Sequence, residues 1–130
     1  MKVDSIEPVR TFKTGVSQIE IKHCANILLE DNEQITFLTK NAKEYDVVKK
    51  SWGFYATPSL NGRLKRFGLS PVLVKNKESK YYICLVENDK RKEFYEYLKN
   101  EEITITFWLD DDKSFQQLYK LLDRDDSYGE

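Results

Sequence analysis

Residues 72–109 read VLVKNKESKYYICLVENDKRKEFYEYLKNEEITITFWL, and this stretch decides the fold class. Residues 81–86 are apolar on both faces, which predicts a strand in the middle of a sheet. Phe94, Tyr97 and Leu98 follow at helical spacing and predict a helix over about 90–99 with one apolar stripe. Residues 103–109 alternate between apolar and polar positions, which predicts a second strand. If both strands lie in one sheet, this unit forms a right-handed crossover.

The N-terminal part of the chain has the pattern of strands rather than helices. Residues 1–17 predict an N-terminal arm or strand. Residues 18–26 alternate, with Ile19 and Ile21 on one face, which predicts a half-buried strand. A second alternation follows a polar turn, so we expect residues 18–39 to form a hairpin.

The remaining elements complete the predicted architecture. A short strand is expected at 44–48, whereas 49–71 predict a long loop with turns because they hold three of the five glycines. A last helix begins after residues 110–112, and 123–130 predict a frayed acidic tail. Together these elements predict an α+β fold, with a mixed or antiparallel sheet of five to six strands and two helices packed on it.

Length and composition favour one soluble domain. The chain has 130 residues, which suits a single domain over 1–130, and 40% of them are hydrophobic, enough for a core. No apolar run approaches the roughly 20 residues that cross a bilayer, so no contact with a membrane is expected. The N-terminus lacks a signal-peptide pattern, and two cysteines make no disulfide framework. We therefore expect a cytoplasmic protein.

Charge is distributed unevenly along the chain. Residues 47–77 hold seven bases and no acid, although the whole chain carries 22 acids. Residues 78–130 hold 14 acids against eight bases. Either the basic third pairs with the acidic C-terminal part of the same chain, or it forms an electropositive patch that attracts an anion. The acidic remainder repels a long polyanion, which disfavours a nucleic acid as partner.

Residues 49–68, KKSWGFYATPSLNGRLKRFG, combine the groups that an anionic ligand with hydroxyls requires. Arginine and lysine hold an anion, aromatic faces stack on a sugar or base ring, and hydroxyl or amide groups bond to hydroxyls. The expected ligand-binding residues are Lys50, Trp52, Tyr55, Thr57, Ser59, Asn61, Arg63 and Arg66. The alternative is purely structural: the aromatic residues pack in a core, and Asn61 with Gly62 forms a turn.

The few other reactive residues give no catalytic or metal motif. His23 and Cys24 are neighbours on a strand, so their side chains leave opposite faces. Cys84 is expected to be packed and inert, and one histidine with two separated cysteines makes no zinc pattern. Asp110–Asp112 are expected to cap a helix. The sequence therefore predicts neither a metal site nor a cofactor.

Three strings carry a resemblance to a known family: IEIKHCANI, EYDVVKKSWGFYATPSLNGRLKRFGL and PVLVKNKESKYYICLVE. Over roughly residues 16–112 the chain resembles a family of small uncharacterised bacterial proteins. That family is loosely associated with gene groups for surface-polysaccharide and sugar-nucleotide synthesis. The resemblance implies a cytoplasmic accessory role near glycan assembly and transfers no catalytic residue.

Three functions follow from these observations. The first is a non-catalytic binding or accessory module for a small anionic metabolite such as a phosphosugar or nucleotide-sugar. The second is a small enzyme acting on activated sugars or their precursors, with His23 or Tyr55 as general base. The third is a module that docks a protein through residues 49–68, either a pathway enzyme or a second copy of this chain. An exposed apolar patch with no hollow beside it would favour docking.

Overall fold

The computed structural model describes residues 1–123, which form eight strands and three helices. In chain order these are β1 (Lys2–Thr14), β2 (Ile19–Leu28), β3 (Gln34–Leu38), β4 (Glu44–Lys50), β5 (Gly53–Ala56), α1 (Arg63–Arg66), β6 (Leu69–Lys75), β7 (Tyr81–Glu87), α2 (Arg91–Glu101), β8 (Thr104–Trp108) and α3 (Asp112–Asp123). The strands lie in three antiparallel sheets. The α+β class is confirmed, but the prediction of one sheet with two helices is wrong.

Two further expectations concern contact with a membrane and the C-terminal tail. Within residues 1–123, no helix has both the length and the apolar character needed to span a bilayer. The frayed tail expected at 123–130 lies outside the described residues, except for Asp123, which ends α3.

The first sheet is a long hairpin of β1 and β2. Thr14 lies opposite Ile19, and Phe12 opposite Ile21, so one face of the hairpin near its turn is largely apolar. Gly15 enters the turn at φ +79°, a left-handed conformation that glycine adopts without steric cost. The expected hairpin over 18–39 is therefore wrong, because β2 pairs with β1. Alternation identifies a strand and its faces, but it does not identify the partner strand.

The second sheet has the order β3–β4–β5, and it occupies part of the stretch expected to be an irregular loop. Residues 49–71 contain β5, helix α1 and the start of β6, so the prediction of a loop without regular elements is wrong. The glycines mark boundaries between short elements. Gly53 begins β5, Gly62 precedes α1 and Gly68 precedes β6.

The third sheet has the order β7–β6–β8, with both outer strands antiparallel to β6. The chain crosses from β7 through α2 to β8, so β7 and β8 run parallel on either side of β6. The main core lies between this sheet and α2, where Val72, Val74, Val86 and Leu98 are buried. Phe94, at 6.2 Å from the Trp108 ring centroid, packs against the same cluster.

Strand β7 corrects the expectation that residues 81–86 form a central strand. It is an edge strand, and β6 is central. Cys84 and Val86 face the core, whereas Tyr81 and Ile83 on the other face remain more than half exposed. The strand thus has a second apolar face, which points outward in a single chain. Because both faces are apolar, the composition of the strand resembles that of a buried strand.

Candidate functional site

A cavity of about 640 Å³ lies between the turn of the β1–β2 hairpin and the body of the protein. We call it the hairpin cavity. The hairpin contributes Val16, Ile19 and Ile21, and the body contributes Val74, Cys84 and Ile103. The wall is thus largely apolar and is formed jointly by the hairpin and the body. Such a concave apolar space is the usual form of a small-molecule site.

The hairpin turn is fixed over the cavity by the end of α2. The main-chain N–H of Ser17 donates to both carboxylate oxygens of Glu101, at 3.2 Å and 3.4 Å. The Ser17 hydroxyl donates to the carbonyl of Asn100 at 3.5 Å. A Cβ at Gly15 would lie 2.0 Å from Oε1 of Glu101, so the turn approaches the carboxylate as closely as only glycine permits.

The carboxylate of Glu101 is the main charged group in the cavity wall. The residue is only 4% exposed, and within residues 1–123 it takes part in no ion pair. It is also the last residue of α2, where the helix dipole is negative and disfavours an acid. Both burial and the helix end therefore disfavour an unpaired negative charge at this position.

Two further groups in the wall are held in their neutral forms. Burial raises the pKa of the Cys84 thiol above its ordinary value of 9.0. Burial, and secondarily the negative charge of Glu101, raise the pKa of Tyr97 above 10.0. Neither group forms an anion readily at neutral pH, so neither is poised as a nucleophile or base.

The expected anion-binding residues are largely engaged inside the protein. Arg63 donates to Asp46 at 3.2 Å and to the hydroxyl of Thr57 at 2.8 Å. Asp46 is 5% exposed and also accepts from Thr36 at 2.6 Å. Arg63 was expected to bind an anionic ligand, but its guanidinium group is instead paired with an acid of the same chain. Asp46 lies on β4, outside the acid-free stretch, and the sheet brings it to α1.

The polar residues expected to bind hydroxyls also have internal partners. The Ser59 hydroxyl accepts from the main-chain N–H of Arg63 at 3.0 Å, which begins helix α1. Asn61 donates to Asp112 at 2.6 Å. Lys50 donates to the side-chain oxygen of Asn32 at 2.9 Å. The contacts of Asn61 and Lys50 tie residues 49–68 to two other parts of the chain, near residues 112 and 32.

The aromatic residues of the same segment project outward instead. Trp52 is 70% exposed and Phe54 67% exposed, while Tyr55 is about half exposed. Trp52 lies in the turn between β4 and β5, and Phe54 lies opposite Lys49 on the sheet. The docking hypothesis expects a patch of Trp52, Phe54 and Leu60, and of these Trp52 and Phe54 are exposed whereas Leu60 is half-buried.

His23 is engaged within the hairpin. Its Nδ1 accepts from Nε of Arg10 at 3.2 Å, so the ring hydrogen lies on Nε2, which is 3.2 Å from the carbonyl of Ala25. Both ring nitrogens thus have partners on β1 or β2. Tyr55, the other candidate base, is on β5 in a different sheet.

Of the acidic run expected to cap α3, Asp111 bonds a main-chain N–H of the helix, whereas Asp110 and Asp112 have side-chain partners. Asp111 accepts from the main-chain N–H of Ser114 at 2.7 Å, which lowers the pKa of its carboxyl below 3.8. Asp110 pairs with Arg91 at 2.9 Å. No group of three or more potential metal-ligating side chains occurs within residues 1–123.

Sequence reasoning missed the hairpin cavity because it forms only when β1 pairs with β2 and the turn reaches α2. Two local signals were present. Ile19 and Ile21 predicted a half-buried face, and that face does line the cavity. An acid at the C-terminal end of a predicted helix, Glu101, opposes the usual charge preference there.

Comparison with known proteins adds no identification. No family model, curated protein or solved structure matches the chain.

Proposed function

We propose that this chain is a non-catalytic binding module that holds a small, largely apolar molecule in the hairpin cavity. The observation that carries this proposal is the cavity itself, about 640 Å³ of space with an apolar wall and a few polar groups. Typical ligand sites have volumes of roughly 300–1,000 Å³ and the same kind of lining.

The reactive side chains support binding rather than catalysis. The raised pKa of Cys84 keeps its thiol protonated, and the raised pKa of Tyr97 keeps its phenol neutral. The Nδ1 lone pair of His23 is occupied by Arg10. A general base or nucleophile needs a free lone pair and a pKa near the working pH, and these three groups lack one or both.

Binding of a neutral apolar probe tests the proposal. We expect 1-hexanol to shift the amide signals of residues 15–21 and 97–103 in a nitrogen-15 NMR titration, while residues 34–56 stay unchanged. Val16→Trp should fill the space and weaken binding by about tenfold, because Val16 lines the cavity.

Val9→Trp is the matched control for that titration. Val9 lies on the same hairpin and is 37% exposed, similar to Val16 at 43%, but it does not line the cavity. The control should bind 1-hexanol as the parent chain does. Equal binding by both variants, or no binding by the parent chain, contradicts the proposal.

A second candidate function is self-association through the turn between β4 and β5, for which we argue a second copy of this chain as partner. The exposed rings of Trp52 and Phe54 support it. Within residues 1–123, the single ion pair that joins the acid-free stretch 47–77 to the acidic part after it is Lys77–Glu102. Most basic side chains of 47–77 and most acidic side chains after residue 77 are thus available to another molecule. In a twofold dimer, the basic stretch of one copy can face the acidic part of the other.

Sedimentation velocity at low and high salt tests self-association. The parent chain should form a dimer at about 100 µM and dissociate as salt rises. Trp52→Ser with Phe54→Ser should be monomeric. Tyr119→Ser, a change at a residue that is 69% exposed on α3, should leave the dimer intact. A monomeric parent chain contradicts this candidate.

The anionic ligand and the role in glycan synthesis stay predictions. Among the cations expected to bind an anion, Lys50 and Arg66 take part in no ion pair within residues 1–123, whereas Arg63 pairs with Asp46.

A further inference from the structure

We propose that the hairpin cavity selects molecules that carry an ammonium group on an apolar body, with Glu101 as the residue that binds the ammonium. This inference rests on the proposed function, because it names the chemical class of the molecule held in the same cavity. It concerns simple aliphatic or arylalkyl amines, which combine a cationic end with a hydrocarbon part.

Glu101 has hydrogen-bonding capacity to spare. An ionised carboxylate accepts at about four lone-pair positions. Within residues 1–123, the hydrogen bonds to this carboxylate come from one donor, the main-chain N–H of Ser17, and both distances exceed 3.1 Å. An ammonium group has three donors, so it suits the positions that Ser17 does not use.

The charge of Glu101 is not balanced within the described part of the chain. It has no ion-pair partner there, although the residue is 96% buried and lies at the negative end of α2. Burial of a charge without a partner is unfavourable, and the negative end of the helix adds to that penalty. A cation bound beside Glu101 would remove both penalties, which is the physical basis of selectivity.

The other charges around the cavity favour a cation as well. Lys77 and Glu78 also line it, so with Glu101 the wall carries two acids and one base. Lys77 is directed to Glu102 on the protein surface, at 3.5 Å, with both side chains more than half exposed. Burial chiefly raises the pKa of Tyr97, and the negative charge of Glu101 adds to that rise. An anionic ligand would therefore be repelled.

The remainder of the wall defines the body of the ligand. Val16, Ile19, Ile21 and Ile103 offer hydrocarbon surface, which favours an aliphatic chain or an aromatic ring. Tyr82 also lines the cavity, and its ring face is a second group that attracts a cation. The combination distinguishes this cavity from a site for a free metal ion or a sugar phosphate.

Three probes of equal chain length separate charge from apolar burial: hexylamine, 1-hexanol and hexanoate. Binding to the parent chain is measured by NMR titration at neutral pH. We expect hexylamine to bind about tenfold more tightly than 1-hexanol, and hexanoate to bind most weakly. This comparison needs no variant, so a folding defect cannot obscure it.

Glu101→Gln then assigns the preference to one residue. Glutamine keeps an acceptor for Ser17 N–H and nearly the same shape, but it lacks the charge. The preference for hexylamine over 1-hexanol should fall from about tenfold to within about twofold. Glu96→Gln is the matched control and should keep the preference, because Glu96 is an exposed acid on the same helix that does not line the cavity.

The outcomes distinguish this inference from the proposed function. If 1-hexanol binds and hexylamine binds no better, the amine selectivity is overturned and the binding module stands. If no probe binds, both fail. If hexylamine is preferred equally by the parent chain and by a folded Glu101→Gln variant, the preference does not come from Glu101 and the inference is overturned.

Discussion

The main-chain N–H of Ser17 donates to the carboxylate of Glu101 across 84 residues of sequence. This contact joins the turn of the first hairpin to the last residue of α2. It both orders the hairpin over its cavity and accounts for the close approach at Gly15. One buried acid thus connects the local conformation of a turn to the shape of the candidate site.

Gly15→Ala should destabilise the protein and loosen the hairpin. The residue has φ +79°, and an added Cβ would meet Oε1 of Glu101, so the carboxylate must move and lose its bond to Ser17. We expect the free energy of unfolding to fall by about 2 kcal/mol, from backbone strain and the lost charged hydrogen bond together. Urea denaturation measures it.

Gly53→Ala separates these two causes. Gly53 also has a positive φ, +144°, but no atom lies within 4 Å of the added Cβ. It should cost about 1 kcal/mol from the backbone alone. Equal losses in the two variants would show that the contact with Glu101 contributes nothing to stability.

Arg63→Ala should cost far more stability than Arg66→Ala, although both residues lie on α1. Removing Arg63 leaves the buried carboxylate of Asp46 without its counter-charge. We expect a loss of about 2 kcal/mol in the free energy of unfolding, moderated because the Arg63 side chain is 38% exposed.

Arg66 is the matched control for that change. It is exposed and takes part in no ion pair within residues 1–123, so Arg66→Ala should change stability by less than about 0.5 kcal/mol. Chemical denaturation of both variants checks the difference. Similar small effects would return Arg63 to the group of residues available for an anion.

Several elements were predictable because their signal is local. The alternation of β2, the stripe of α2 and the strand at 44–48 each came from side-chain periodicity within one segment. Strand pairing was not predictable in the same way, because β2 had two neighbours of suitable pattern and only tertiary packing selects β1. Three small sheets therefore replaced the single expected one.

The candidate site differed from the expectation for a similar reason. The acid-free stretch suggested free arginines, yet Asp46 on β4 lies just outside that stretch and reaches Arg63 through the fold. The distribution of charge along the sequence does not show which charged side chains come into contact in the fold. The hairpin cavity likewise requires a contact between residues 17 and 101 that no local pattern encodes.

Asp111→Asn should reduce stability at neutral pH but not in strong acid. The hydrogen bond from Ser114 N–H lowers the pKa of Asp111 below 3.8 in the folded protein. A lowered folded pKa contributes stability that is present above the unfolded pKa and is lost as pH falls through the folded value. The stability difference between parent and variant should therefore shrink as pH falls below 3.8.

Thermal unfolding across this pH range measures that difference. Asp89→Asn is the control, since Asp89 is exposed and its side chain makes no hydrogen bond or ion pair within the described residues. It should give the pH profile of the parent chain. A gap between parent and Asp111→Asn that stays constant into acid would show that the cap does not titrate with folding.

The two cysteines should differ in reactivity, and a ligand should widen the difference. Cys24 is exposed on β2, whereas Cys84 lines the hairpin cavity and burial raises the pKa of its thiol. Alkylation by iodoacetamide needs the thiolate, so Cys84 should react about tenfold more slowly than Cys24. Mass spectrometry of timed digests follows each site separately, and Cys24→Ser isolates the slower one.

Because 1-hexanol would occupy the space beside Cys84, it should slow alkylation of Cys84 further and leave the alkylation of Cys24 unchanged. Equal slowing at both cysteines would mean that the alcohol acts on the reagent or the whole fold, and that the cavity is not where it binds.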